Sequence, residues 1–152
     1  MASQGVSRVA VVGAGTMGGG IAAICARSGM EVALFDPSSE ALDRAGKRIA
    51  KRLEETGRGS ALTFHDDLAA AVAGADLVIE AVPEKLELKR RIFAALDEAA
   101  PAGALLVTNT SELSVTAIAG ATGRPQQVMG MHWFNPPERM KLIELVRGVH
   151  TA

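Results

Sequence analysis

Short apolar runs alternate along this chain with stretches of helical periodicity, and no other feature limits its possible folds as tightly. Residues 8–12, 31–35, 76–82, 105–108 and 128–131 are rich in Val, Ile and Leu and read as strands. They are continuous rather than alternating, as in a parallel sheet covered on both faces. Residues 18–28 are apolar nearly all round and fit a helix with little exposure. Residues 39–55 place Ala41, Leu42, Ala45, Ile49 and Leu53 on one face and turn Arg44, Lys47, Lys51 and Arg52 away. Residues 84–99 repeat the pattern with Leu88, Ile92, Leu96 and Ala99. Repeated strand–helix–strand units predict an α/β fold: a doubly wound, mostly parallel sheet with helices on both faces.

Two stretches interrupt the alternation. A turn cluster at residues 56–60 leads into a short apolar piece, residues 61–64, after which Asp66 or Asp67 caps a short helix through Val72 that Gly74 ends. Further on, Asn135-Pro136-Pro137 stops a strand and predicts a chain reversal, with an antiparallel C-terminal strand over residues 140–146. The length, 152 residues, suits one domain. A net charge of -1 argues against a nucleic-acid or membrane-surface partner, which a basic stripe would serve. Cys25 is the sole cysteine and lies in an apolar run, so a buried thiol is expected rather than a nucleophile. Nothing at the start resembles a signal peptide or a spanning helix, so the expected setting is cytoplasmic.

The first strand runs into Gly13-Ala14-Gly15-Thr16-Met17-Gly18, the G-x-G-x-x-G spacing. That pattern is weak alone. Here a strand precedes it, an apolar helix follows, and a second strand ends in Asp36, 23 positions after Gly13. Gly13 permits the tight turn, Gly15 lets backbone approach a pyrophosphate, and Gly18 lets the helix pack close to the strand. Asp36 suits the two hydroxyls of a ribose and repels a 2′-phosphate, which selects NAD over NADP. The expected architecture is of Rossmann type. The competing reading is a structural glycine turn with a capping Asp.

In such sheets the ligand lies outside the carboxyl ends of the strands. Those ends hold Glu80 and Glu84, then Asn109, Thr110 and Ser111, then His132. Glu144 lies 12 positions beyond His132, flanked by apolar residues. If the chain reverses at the prolines, the strand carrying Glu144 runs back beside His132. A carboxylate on one ring nitrogen fixes the tautomer and leaves the other to take a substrate proton. Spacing alone leaves a second possibility, a satisfied structural histidine and a strand-edge glutamate.

The blocks Gly13 to Gly18, Val78 to Glu84, Thr108 to Ser111, Gly130 to Pro136 and Met140 to Glu144 resemble the NAD-binding domain of L-3-hydroxyacyl-CoA dehydrogenases. The resemblance covers nearly the whole chain, and its last block is the most specific. It implies that His132 removes the proton of a 3-hydroxyl while hydride passes to NAD, and that Glu144 orients His132. It implies further that Ser111 touches the substrate hydroxyl region, that Asn109 and Asn135 hold the nicotinamide end, and that Glu84 and Lys89 contact the cofactor. With Gly13, Ala14, Gly15, Thr16, Met17, Gly18, Asp36 and Ala81, these form the expected cofactor set. No metal is expected.

The chain also departs from that pattern. The family carries a helical second domain, which supplies dimer contacts and the acyl pocket; residues 1–152 hold only the NAD-binding part, so the isolated domain is expected to bind NAD and turn over poorly. The segment between the second helix and Asp76 looks short where relatives grip CoA. Lys47, Lys51, Arg52 and Arg58 there read as an ordinary solvated face. The substrate is therefore an acyl-CoA, an acyl group on a carrier protein, or a free 3-hydroxy acid; a non-catalytic NAD-binding module is the remaining reading. Glu112 and Trp133 stand where a small polar residue and Phe are usual, Trp133 as an expected pocket wall.

Overall fold

In the computed structural model, which describes residues 5–56 and 61–152, a seven-stranded sheet carries helices on both faces. The strands are β1 (Arg8–Val12), β2 (Glu31–Phe35), β3 (Leu62–His65), β4 (Leu77–Glu80), β5 (Leu105–Thr108), β6 (Val128–Trp133) and β7 (Ile143–Arg147). Their order is β3-β2-β1-β4-β5-β6-β7. Every pairing is parallel except β6 with β7. This is the doubly wound α/β architecture, with its antiparallel last strand, that the sequence predicts. From β1 the chain builds outward to β3, then crosses back to place β4 on the other side of β1. Such a switch opens a crevice at the carboxyl ends of the two strands.

The twofold period of β1 distributes the core between two layers. Val9 and Val11 face α1 (Thr16–Arg27) and α2 (Ser39–Thr56), while Ala10 and Val12 face α3 (Leu68–Val72), α4 (Leu86–Ala99) and α5 (Val115–Ala119). The first layer packs on Ile21 and Ala22 of α1 and on Ala45 and Ile49 of α2. The second packs on Phe93 and Leu96 of α4 and Ile118 of α5. Helix α1 is buried along most of its length, as its apolar circumference requires. Cys25 lies within it, and burial pushes its thiol up to about 11, so it is packing rather than chemistry.

Local chemistry sets the boundaries. The Asp67 side chain accepts from the Ala70 N–H and caps α3. Ser114 does the same for α5 through the Ala117 N–H; five residues are too few for a periodicity, and α5 is absent from the sequence reading. The piece at residues 61–64 becomes the edge strand β3, while the turn cluster beyond Thr56, Arg58 included, lies outside the described residues. The chain reverses through a cis Asn135–Pro136 peptide bond, and β6 extends to Trp133 because its pairing with β7 continues to Trp133 opposite Ile143. His132 therefore sits inside the strand rather than just beyond it.

Candidate active site

Strand β1 delivers the chain into a turn that only glycine can make. Gly13 has φ +110°, and a Cβ there would stand 2.6 Å from the Ala81 carbonyl oxygen. A Cβ on Gly18 would lie 1.7 Å from the Gly13 carbonyl oxygen, so α1 can rest against the turn only without one. Gly15 is different: nothing lies within 4 Å of its Cβ position, and the space above it is open. Helix α1 has no side-chain cap and no acid in its first turn. Its first N–H groups thus lack intrahelical acceptors, and the positive end of the helix faces the opening.

That opening is a cleft of about 980 Å³. Its walls are the turn at residues 13–17, the corner at residues 35–37, Ala81 to Pro83, Leu88 and Ile92 of α4, and one flank of α2. Asp36 closes the far end of the turn. One carboxylate oxygen accepts from the Ala14 N–H and the other from the Ser38 N–H, both at 2.9 Å. Each oxygen keeps a lone pair for a ribose hydroxyl. The flank of α2 corrects the sequence reading: Arg44 and Lys47, assigned there to a face turned away, line the cleft together with Arg48. A helix beside the turn borders the opening with its side as well as packing with its inner face. The spacing 44, 47, 48 on the helix after the ribose-side acid is the signal that reveals it.

Across Ala81 and Val82 lies a second cluster, built on the ends of β4 and β5. Glu80 is fully buried and Lys89 is 2% exposed; their charged groups meet at 2.6 Å. Thr108 Oγ1 donates to Glu80 at 2.6 Å and the Val82 N–H donates at 2.9 Å, while Lys89 also donates to the Val82 carbonyl. Lys89, expected at the cofactor, is thus committed to the protein interior, and its nearest outward group is the Glu84 carboxylate at 3.7 Å. Glu84 in turn accepts from Thr110 Oγ1, the Ser111 N–H and the Ser111 hydroxyl. Burial raises the Glu84 carboxyl, but these bonds and the Lys89 charge outweigh it and hold the group below the usual glutamate range. Glu80, Thr108 and Thr110 carry this network, and the sequence reading assigned none of them a role.

The third part is the β6–β7 ribbon. His132 and Glu144 are directly opposed across the two strands, with Nδ1 of the ring 3.9 Å from a Glu144 oxygen. At that distance the pair is electrostatic rather than hydrogen bonded. The ring is partly buried against Phe134, centroids 4.6 Å apart, whereas Glu144 is 56% exposed. Asn109 Oδ1 accepts from the Trp133 N–H at 2.9 Å and ties the loop after β5 to the strand beside His132. Trp133 itself is a core residue packed on the α1 layer, not a pocket wall, and among the described residues its indole N–H has no partner. Glu112 is exposed. Glu84, Asn109, Ser111, His132, Asn135 and Glu144 stand outside the cleft beside the glycine turn. Among the described residues no cluster is placed to hold a metal ion, and no helix is long and apolar enough to cross a membrane.

A glycine turn, an uncapped helix end and an acid after β2, gathered at the switch point of a parallel sheet, define a dinucleotide-binding domain of Rossmann type. The open space over Gly15 and the unpartnered N–H groups fit a pyrophosphate. The family description "3-hydroxyacyl-CoA dehydrogenase, NAD binding domain" matches residues 8–152. The chain belongs to that family, and its cofactor is NAD. It is 47% identical to 3-hydroxyadipyl-CoA dehydrogenase of Escherichia coli (strain K12), over 97% of this chain and 33% of the relative. It is 45% identical to a 3-hydroxybutyryl-CoA dehydrogenase of Mycobacterium tuberculosis (strain ATCC 25618 / H37Rv), over 98% of this chain and 56% of the relative. A solved structure of 5-formyl-3-hydroxy-2-methylpyridine 4-carboxylic acid 5-dehydrogenase, an NAD+ dependent dismutase, superposes with a TM-score of 0.89 at 34% identity, covering 97% of this chain and 51% of that one. The chain thus spans between a third and somewhat over half of these relatives.

Proposed function

We propose that this domain serves a reversible, NAD-dependent oxidation of the 3-hydroxyl of a 3-hydroxyacyl-CoA to the 3-oxo compound. The observation that carries the proposal is the His132–Glu144 pair, opposed across β6 and β7 beyond the carboxyl end of β5. NAD, when bound, accepts the hydride released from the hydroxyl-bearing carbon. With Nδ1 of His132 turned toward Glu144, Nε2 is left to take the hydroxyl proton, and the Glu144 charge favours the cation that results. Ser111, anchored on Glu84, would meet the substrate hydroxyl region, and Asn109 and Asn135 would border the nicotinamide end. Gly13 to Gly18 and the α1 N-terminus would hold the pyrophosphate, Asp36 the ribose, with Ala81 and Glu84 along the cofactor. Lys89 would act on the cofactor only through Glu84.

Strand β7 supports a further part of this reading. Leu145 is 62% exposed, and Leu142, Ile143 and Val146 beside it are exposed as well. A helical second domain covering this face would also complete the acyl site and carry the contacts of a homodimer. Without it the isolated domain binds NAD and turns over slowly. A cytoplasmic setting belongs to the same reading. The pyridine-carboxylate relative, whose named substrate is not a thioester, favours a second reading, a free small hydroxy compound in place of the CoA ester.

The test is NADH oxidation by acetoacetyl-CoA, with enzyme in excess, beside free acetoacetate. Oxidation by the thioester, lost in His132→Gln, supports the proposal. Oxidation by acetoacetate alone moves the substrate to the free acid, and a rate unaffected by His132→Gln removes His132 from the chemistry.

A further inference from the structure

We infer that Arg48 is a phosphate-binding residue of the cofactor cleft, its guanidinium joining the N-terminus of α1 on the dinucleotide pyrophosphate. This rests on the cleft being the NAD site. Arg48 lies on α2, yet its head reaches α1. Its Nη2 stands 3.2 Å from the position a Cβ on Gly19 would occupy, so a bare glycine in the first turn and a half of α1 seats the guanidinium. Arg48 and Thr16, the first residue of α1, border both the large cleft and a smaller cavity of about 100 Å³ that runs past Gly19 and Gly20 to Pro136. The guanidinium thus borders the cleft beside the first turns of α1, where the helix presents its positive end. Among the described residues it has no carboxylate partner. One turn further along α2, Arg52 does have one, Glu138 at 3.0 Å. An unpaired cation beside a positive helix end is a like-charge arrangement in the free protein, and an anion shared between them relieves it. Asp36, the acid bordering this cleft, already accepts from two backbone N–H groups. A diphosphate is the ligand group whose two charges match a guanidinium fork on one side and backbone N–H groups on the other.

The experiment is equilibrium binding of NADH, ADP-ribose and adenosine to this chain, with Arg48→Gln, Arg48→Lys and Arg52→Gln as variants and circular dichroism to establish folding. Arg48→Gln should weaken ADP-ribose roughly tenfold or more, the loss of one charge-assisted contact, while adenosine is unchanged. The salt dependence of ADP-ribose binding should become shallower, Arg48→Lys should recover part of the affinity, and Arg52→Gln should match the parent. ADP-ribose binding within twofold of the parent in Arg48→Gln, or an equal loss for adenosine, overturns the assignment while leaving the NAD site intact. No binding of NADH or ADP-ribose by the parent chain overturns both.

Discussion

The glycine-turn cleft and the β6–β7 ribbon belong to the same sheet and are built in opposite ways. Around the cleft, backbone positions are fixed by groups that are almost all buried: Val12 and Ala14 below, the Ala81 carbonyl against Gly13, Ile21 and Ala22 behind. At the ribbon, the histidine is carried by a strand paired with β7, every residue of which is exposed. The cofactor half has its own core. The ribbon leans on that core through Asn109 and the β5–β6 pairing, with its outer apolar face uncovered. The difference separates a region packed from within the chain from one that leaves an apolar face exposed.

The largest stability effect is expected at the junction of the two regions. Lys89→Met leaves Glu80 buried without its ionic partner, which costs about 3–5 kcal/mol in urea unfolding. The Thr108 and Val82 bonds to Glu80 remain in that variant. A loss below about 1 kcal/mol would mean that those two bonds alone suffice. Next comes a paired substitution that pits the core against the ribbon. Leu106→Ala, fully buried in β5, should cost about 2–5 kcal/mol, whereas Leu145→Ser on β7 should stay within about 0.5 kcal/mol. Equal costs would contradict the contrast between a packed and an uncovered face.

A smaller effect follows from the acids. N–H groups of Ser7 and Arg8 hold the Asp76 carboxyl below its ordinary range, outweighing the opposing effect of desolvation. The Gly123 N–H and then Arg124 do the same for Asp97, and Glu84 is lowered as described. A carboxyl lowered in the folded state contributes stability that is full above its unfolded value and lost as pH falls through the folded one. The thermal midpoint should therefore be flat above the ordinary carboxylate range, about 4, and fall below it. Asp76→Asn should flatten part of that acid limb, and an unchanged limb would remove Asp76 from the account.

Much of this was legible in the sequence because it depends on short-range rules. The glycine spacing, its flanking strand and helix, and the acid ending β2 are local signals. The two prolines announced the reversal, and counting back from it placed Glu144 beside His132. Three features escaped for one reason: each is decided by a partner distant in the chain or on a neighbouring element. The resemblance puts Lys89 at the cofactor, whereas β4 brings Glu80 beneath it and holds it inside. Arg44 and Lys47 look turned away from the core and the site until α2 lies alongside the glycine turn. Trp133 looks like a wall of the site until the pleat of β6 sends it into the α1 layer while His132 takes the other face.

We propose that the cofactor site and the His132–Glu144 pair can be disabled separately. NADH binding and acetoacetyl-CoA-dependent NADH oxidation, measured side by side for the parent and for His132→Gln, test it most directly. NADH affinity should be unchanged and oxidation reduced by about 10²–10⁴-fold, the usual contribution of a positioned acid–base group. Oxidation that persists at the parent rate in His132→Gln would contradict it.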